Sequence, residues 1–188
     1  MTKASMQIRQ AESELKLVAF AASSSRKSIN KRLATYATGL LDGAETEILD
    51  LNDYEMPLFS VDREEELGHP RLAKAFLAKI DASDALIISF AEHNGSYTAA
   101  YKNLFDWCSR ISKKVYDKKP VVLLSASPGE KGGARVLSMA SASMPFFGAS
   151  VMATLSIPNF YQNFDVEKGV LTNQALNAKL IAAVDSLR

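Results

Sequence analysis

Short apolar runs punctuate this chain, and several are followed by small and polar residues that lead into an amphipathic period. The clearest is Ala85 to Phe90, ALIISF, unbroken and with β-branched residues at its centre. That is the pattern of a strand buried on both faces of a parallel sheet. Beyond it, Asn94-Gly95 is a turn dipeptide whose glycine can take positive φ. From Thr98 the apolar residues Ala100, Tyr101, Leu104, Phe105 and Cys108 recur at three- and four-residue steps, predicting a helix to about Ser112. Thr98 or Ser96 can cap its first N–H groups.

The same alternation repeats along the chain. Leu15 to Ala22 reads as the first strand, and Ile29, Leu33, Tyr36, Ala37, Leu40 and Leu41 mark a helix ended by Gly43. Glu45 to Leu51 follows as a strand, then a long connection from Asn52 to Pro70 with the acidic run Glu64-Glu65-Glu66. Leu72 to Ile80 is helical, Pro120 to Ser125 is a fourth strand, and Val136, Leu137, Met139 and Ala140 lie on the next helix. Ser150 to Leu155 is the fifth strand, Ser156 to Asp165 a loop, and Thr172 to Leu187 the last helix. Strands and helices alternate without internal repeats. The pattern predicts an α/β fold: a doubly wound sheet of five parallel strands with helices on both faces, most simply flavodoxin-like. Met1 to Glu14 carries no sustained apolar period and is expected to be a loose arm, leaving 15–188 as one domain.

Charge narrows the function. With 22 basic and 21 acidic side chains the formal net charge is +1, which gives no electrostatic case for nucleic acid, an anionic membrane or a strongly charged partner. Small-molecule chemistry is the expectation. The lone Cys108 excludes an intramolecular disulfide, and two distant histidines with one cysteine do not make a transition-metal ligand set. There is no signal-peptide, membrane-spanning or lipid-anchor pattern, so a cytoplasmic protein is expected.

In open α/β sheets ligands bind beyond the carboxyl ends of the strands, which directs attention to the loops there. Ser23-Ser24-Ser25-Arg26-Lys27-Ser28-Ile29-Asn30 crowds hydroxyls, cations and an amide at a helix start. Unpaired N–H groups and the helix dipole favour an anion at such a place. Ordinary capping by Ser28 within a solvated serine loop is the other reading of the same residues. Neither GxxxxGK[ST] nor GxGxxG is present. Ser127-Pro128-Gly129-Glu130-Lys131-Gly132-Gly133 has three glycines that let backbone approach a ligand, or simply join a strand to a helix.

Taken together, the three loops resemble those of the NADPH-dependent FMN reductase family, which includes quinone, azo-compound and chromate reductases. The family pattern T-P-E-Y-N-G-S-Y-P-G-x-L-K-N-A-x-D-W is matched here by Glu92, Asn94, Gly95, Ser96, Tyr97, Lys102, Asn103, Asp106 and Trp107. The first loop is similar to G-S-x-R-x-x-S-x-N, with Ala22 in place of glycine and Arg26 one residue closer to Asn30. Ser127, Gly129, Gly132 and Gly133 resemble the family's S-x-G-x-x-G-G.

The resemblance implies FMN at the carboxyl end of the sheet, with Ser23, Ser25, Arg26, Ser28 and Asn30 near its phosphate. Glu92, His93, Asn94, Gly95 and Ser96, with Ser127, Gly129, Gly132 and Gly133, would border the isoalloxazine. NADPH or NADH would be the donor, and a quinone, free flavin or similar small molecule the acceptor, by ping-pong kinetics. The flavin carries the chemistry, so no catalytic side chain is required. A homodimer or homotetramer is implied, with Asn52 to Pro70 and Lys102 to Ser112 as contacts. His93 replaces the usual tyrosine and Ala91 the usual proline; His93 either adds a pH effect or offers only backbone and ring surface. A flavodoxin-like electron carrier docking on a protein partner is the alternative, but such carriers resemble one another in an acidic surface that this chain lacks. A serine hydrolase using His93 would need a GxSxG elbow, which is absent.

Overall fold

The computed structural model describes residues 14–188; the arm expected over Met1 to Glu14 lies outside the described residues, Glu14 apart. Five parallel strands form the sheet: β1 (Leu15–Ala22), β2 (Ala44–Leu49), β3 (Ala85–Phe90), β4 (Pro120–Ala126) and β5 (Ser150–Ile157), in the order β2-β1-β3-β4-β5. This is the flavodoxin-like order, with its reversal between β1 and β3. The strands most apolar in sequence occupy the middle: every residue of β3 is buried, as are the last six of β1 and of β4. The edge strands are more polar, and Glu45, Thr46 and Glu47 of β2 are exposed.

Side chains alternate between two cores, as the period of a strand requires. Leu17, Ala19, Ile87, Val122 and Leu124 face α1 (Ile29–Thr38) and α7 (Gln174–Asp185), meeting Leu33, Ala37, Leu180 and Val184. Val18, Phe20, Leu86, Ile88 and Leu123 face α3 (Arg71–Ala82), α4 (Ala99–Ile111) and α5 (Ala134–Ser143), meeting Phe76, Leu104, Trp107 and Val136.

Several boundaries differ from the sequence pattern. α1 closes at Thr38 rather than at Gly43, and the apolar Leu40 and Leu41 continue its stripe through turns. β2 ends at Leu49 because the Asp50 carboxylate accepts from Asn52 N–H at 3.0 Å and starts a 3-10 turn over Leu51–Tyr54. The long connection also holds a short helix, α2 (Val61–Leu67), capped by Ser60 and burying none of its residues. β5 runs two residues further than expected. The loop after it contains a single helical turn, α6 (Phe160–Asn163), and a ribbon of β6 (Phe164–Asp165) and β7 (Val170–Leu171).

The Asn52 to Pro70 connection is strapped to α4. Asn103 accepts from Phe59 N–H at 2.8 Å and donates to the carbonyls of Met56 and Pro57, while Trp107 Nε1 donates to Pro57 at 2.8 Å. Arg110 meets Glu64 through both carboxylate oxygens, at 3.0 and 2.9 Å. Asn103 and Trp107 thus hold the chain's own loop. No described helix is long and apolar enough to cross a membrane.

Candidate functional site

Parallel pairing brings three loops to one rim. Ala22 at the end of β1 pairs with Phe90 at the end of β3, and Phe90 pairs with Ser125 of β4. Loop 1 (residues 23–28), loop 2 (91–98) and loop 3 (127–133) therefore leave adjacent strands on the same edge.

Loop 1 is open. Ser24, Ser25, Arg26 and Lys27 are exposed, and few bonds shape the loop: Ser25 N–H donates to Ser23 Oγ at 3.2 Å and Ser28 N–H to the Ser25 carbonyl at 3.0 Å. Ser28 is the N-cap of α1, its hydroxyl accepting from Lys31 N–H at 3.2 Å. The capping reading of this loop holds for Ser28, and the Arg26 and Lys27 side chains are left outside. The backbone N–H groups of Ser24, Arg26 and Lys27 donate to no acceptor among the described residues. Lys31 is paired with Asp50, and its hydrogen bond holds the Asp50 carboxyl below the usual carboxylate range.

Asn30 departs from its expected place beside a phosphate. Its Oδ1 accepts from Ala126 N–H at 2.9 Å and from Ser89 Oγ at 2.8 Å, and its Nδ2 donates to the Ala126 carbonyl at 3.1 Å. The amide is buried, with both of its ends bonded, and joins α1 to β3 and β4. The sequence does carry a signal for this: Asn30, Leu33, Ala34 and Ala37 form one buried helical stripe, so position 30 faces the sheet.

Loop 2 is tight. His93 and Ser96 exchange backbone hydrogen bonds at 3.0 and 3.1 Å, and the two residues between them, Asn94 (φ 53°) and Gly95 (φ 78°), both take positive φ as a type I′ turn requires. His93 therefore pins the turn through its backbone while its side chain is exposed. Thr98 Oγ1 donates to the Ala22 carbonyl at 2.9 Å, tying loop 2 to the end of β1, and accepts from Tyr101 N–H to cap α4.

Glu92 also bonds within the protein. Its Oε2 accepts from the N–H groups of Arg135 and Val136 at 3.1 and 3.0 Å. α5 begins at Gly133, which has no side chain to cap it, so Glu92 supplies the cap from another loop. Arg135 in turn lies over the turn of loop 2, 3.6 Å from where a Cβ on Gly95 would sit.

In loop 3 the three glycines differ. Gly132 (φ 58°) is held by Ser125 Oγ and Ser156 Oγ, which donate to its carbonyl at 2.7 and 2.9 Å; a Cβ there would stand 2.2 Å from Ser156 Oγ and 2.8 Å from Pro158 N. Gly133 (φ 77°) packs on Ser125. Gly129 has nothing within 4 Å of its Cβ direction and no positive φ, so the fold does not require glycine there. Ser127 donates to the Gly129 carbonyl at 3.1 Å. The N–H groups of Glu130 and Lys131 have no acceptor among the described residues.

Among the residues placed near a ligand by sequence, Ser23, Ser25, Arg26, Ser28, His93, Asn94, Gly95, Ser96, Ser127, Gly129, Gly132 and Gly133 all lie on this rim. Asn30 and Glu92 stand behind it as struts. Thr98, Ser89, Ser125 and Arg135 join them, and apart from Thr98 as a helix cap their parts are invisible to periodicity. The rim offers cations and unpaired N–H groups at loop 1 for an anion, and exposed backbone at loops 2 and 3 for a flat ring with polar edges. The one cysteine, Cys108, lies away from the rim, and burial pushes its thiol up to about 12.

Comparison with known proteins agrees with these features. A family model described as NADPH-dependent FMN reductase matches residues 15–162. An NAD(P)H-dependent FMN reductase of Pseudomonas aeruginosa is 32% identical over 123 residues, which cover 65% of this chain and 65% of that protein. A quinone reductase of Escherichia coli is 33% identical over 98 residues, 52% of each chain. The matched stretches thus span between about half and two thirds of those relatives. FerB, a flavoenzyme NAD(P)H:(acceptor) oxidoreductase from Paracoccus denitrificans, has the same fold with a TM-score of 0.72 at 23% identity, covering 92% of this chain and 94% of that one.

Proposed function

This chain belongs to the NADPH-dependent FMN reductase family, and we propose that it is an NAD(P)H-dependent oxidoreductase that holds FMN across the three loops of the rim. FMN held there would supply the redox chemistry between a nicotinamide donor and a quinone, free flavin or similar acceptor. The observation that carries the reading is the convergence of loops 1, 2 and 3 on one edge, at the reversal in strand order where such sheets bind ligands.

The residues present fit the group. Arg26, Lys27 and the unpaired N–H groups of loop 1 offer charge-assisted hydrogen bonds to a phosphate, with the dipole of α1 behind them. The open space at Gly129 and the exposed backbone of Asn94 and Gly95 would border the ring, and the Glu130 and Lys131 N–H groups are donors for negative charge developing on it. Glu92 and Asn30 hold these loops in place. One open face would serve donor and acceptor in turn, so ping-pong kinetics are expected.

The reading extends to a cytoplasmic homodimer or homotetramer. Its support is α2 with the residues before it, where Leu58, Val61 and Leu67 are 67%, 60% and 51% exposed although strapped firmly to α4. The test is the absorbance spectrum of the purified protein, followed by anaerobic addition of NADPH or NADH. A retained yellow colour that bleaches, and returns with a quinone, is expected. A protein that takes no FMN at micromolar concentrations would overturn the proposal, and bound FMN without turnover would return the electron carrier.

A further inference from the structure

A concentration of unbalanced charge lies beside the rim. A groove of about 480 Å³ runs along the outer side of α1, between that helix and the β6–β7 ribbon. It starts at Arg26 and Ser28 and ends at Gly39 and Leu40, a length of about 15 Å at helical rise. That is longer than one phosphate subsite needs.

Four of its eleven lining residues are cations and none is acidic, in a chain whose charges otherwise balance. Lys31 is neutralised by Asp50. Arg26, Lys27 and Arg32 are ion-paired to no carboxylate among the described residues. Arg32 makes one hydrogen bond, from Nη1 to the Val166 carbonyl at 3.1 Å, which fixes its guanidinium at the groove edge with donors to spare. In the ribbon the Asp165 carboxylate is engaged locally, accepting from the N–H groups of Glu167 and Lys168 and pairing with Lys168 Nζ at 3.5 Å. Below the cations the floor is aromatic and apolar. Tyr36 stands edge-on to the buried Phe164 with centroids 5.9 Å apart, its hydroxyl donating to Asn177, and Leu40 closes the far end.

A cationic mouth over a flat apolar floor suits a phosphorylated heteroaromatic ring. We propose that this groove takes the adenosine 2′-phosphate end of NADPH, with Lys27 and Arg32 on the 2′-phosphate and the adenine against Tyr36. The assignment of a nicotinamide dinucleotide rests on the function proposed above, and the shared residue Arg26 makes the groove continuous with the rim. Lys27 and Arg32 then decide between NADPH and NADH, since only the former carries the extra dianion.

The same chemistry could come from the dinucleotide or from a 5′-nucleotide, and titration separates them. Adenosine 2′,5′-bisphosphate and adenosine 5′-monophosphate are each titrated calorimetrically into the FMN-loaded protein. The bisphosphate should bind at least about tenfold more tightly, as loss of one charge-assisted contact implies. Lys27→Gln and Arg32→Gln should each remove most of that preference, and Thr35→Trp, on the exposed side of α1, should block both ligands. In turnover Arg32→Gln should raise KM for NADPH by about tenfold and leave KM for NADH and kcat unchanged. Equal binding of the two nucleotides, no binding of either, or an unaltered preference in both glutamine variants would overturn the proposal. FMN colour is read on the same samples. A colourless protein that still prefers the bisphosphate would refute the rim and not the groove; a yellow protein blind to it would do the reverse.

Discussion

Loop 1 and the pair formed by loops 2 and 3 share an edge of the sheet but are built on opposite plans. Loop 1 is exposed, carries unpaired N–H groups, and owes its position to one cap and to a buried amide behind it. Loops 2 and 3 are braced against each other by Glu92, by Arg135 and by the serines that hold Gly132. Charge attraction is non-directional enough to tolerate a yielding loop, whereas a planar ring needs walls at a fixed spacing. A displaced turn in loop 2 would lose its cross-braces, whereas loop 1 has none to lose among the described residues.

The sharpest way to break the braced pair is Gly132→Ala. Its Cβ would enter the backbone of Ile157 and Pro158, which cannot yield, at a φ that alanine adopts at a cost. A loss of about 3 kcal/mol or more is expected in urea unfolding, with loss of FMN binding. Asn30→Ala strikes the support of the open loop. It leaves Ser89 Oγ and the Ala126 peptide without their partners in the core, and should cost about 3 kcal/mol while weakening FMN less than Gly132→Ala does.

Glu92→Ala removes the cap of α5 and should lower stability by about 1 to 2 kcal/mol, measured by thermal unfolding. Glu92→Gln keeps an acceptor oxygen and should recover most of it. Gly129→Ala sharpens the contrast from the other side. Nothing occupies its Cβ direction, so stability should stay within about 0.5 kcal/mol, and any fall in FMN affinity reports a ligand contact rather than a folding defect. If Gly129→Ala and Gly132→Ala prove equally destabilising, the description of loop 3 is wrong.

What could be read from the chain follows from the range of the forces involved. β1, β3 and β4 are legible because burial on both faces demands unbroken apolar runs. The turn at Asn94-Gly95 is legible because local sterics decide it. α2 is not, since it buries nothing and so carries no apolar period. The β6–β7 ribbon is two residues per strand, too short to show alternation. Asn30 and Glu92 were legible as polar residues at the right edge, but their partners within the protein were not. Their partners lie 59, 96 and 43 residues away, and no local pattern says which acceptor a buried amide or a carboxylate will meet.

The buried amide at the head of α1 also couples distant parts of the chain. It joins α1 to β3 and β4, so the spacing of loops 1 and 3 depends on the fourth strand lying beside the third. A ligand held across both loops would therefore report on the pairing at the centre of the sheet as well as on the rim, and whatever loosens that pairing would be felt as lost affinity.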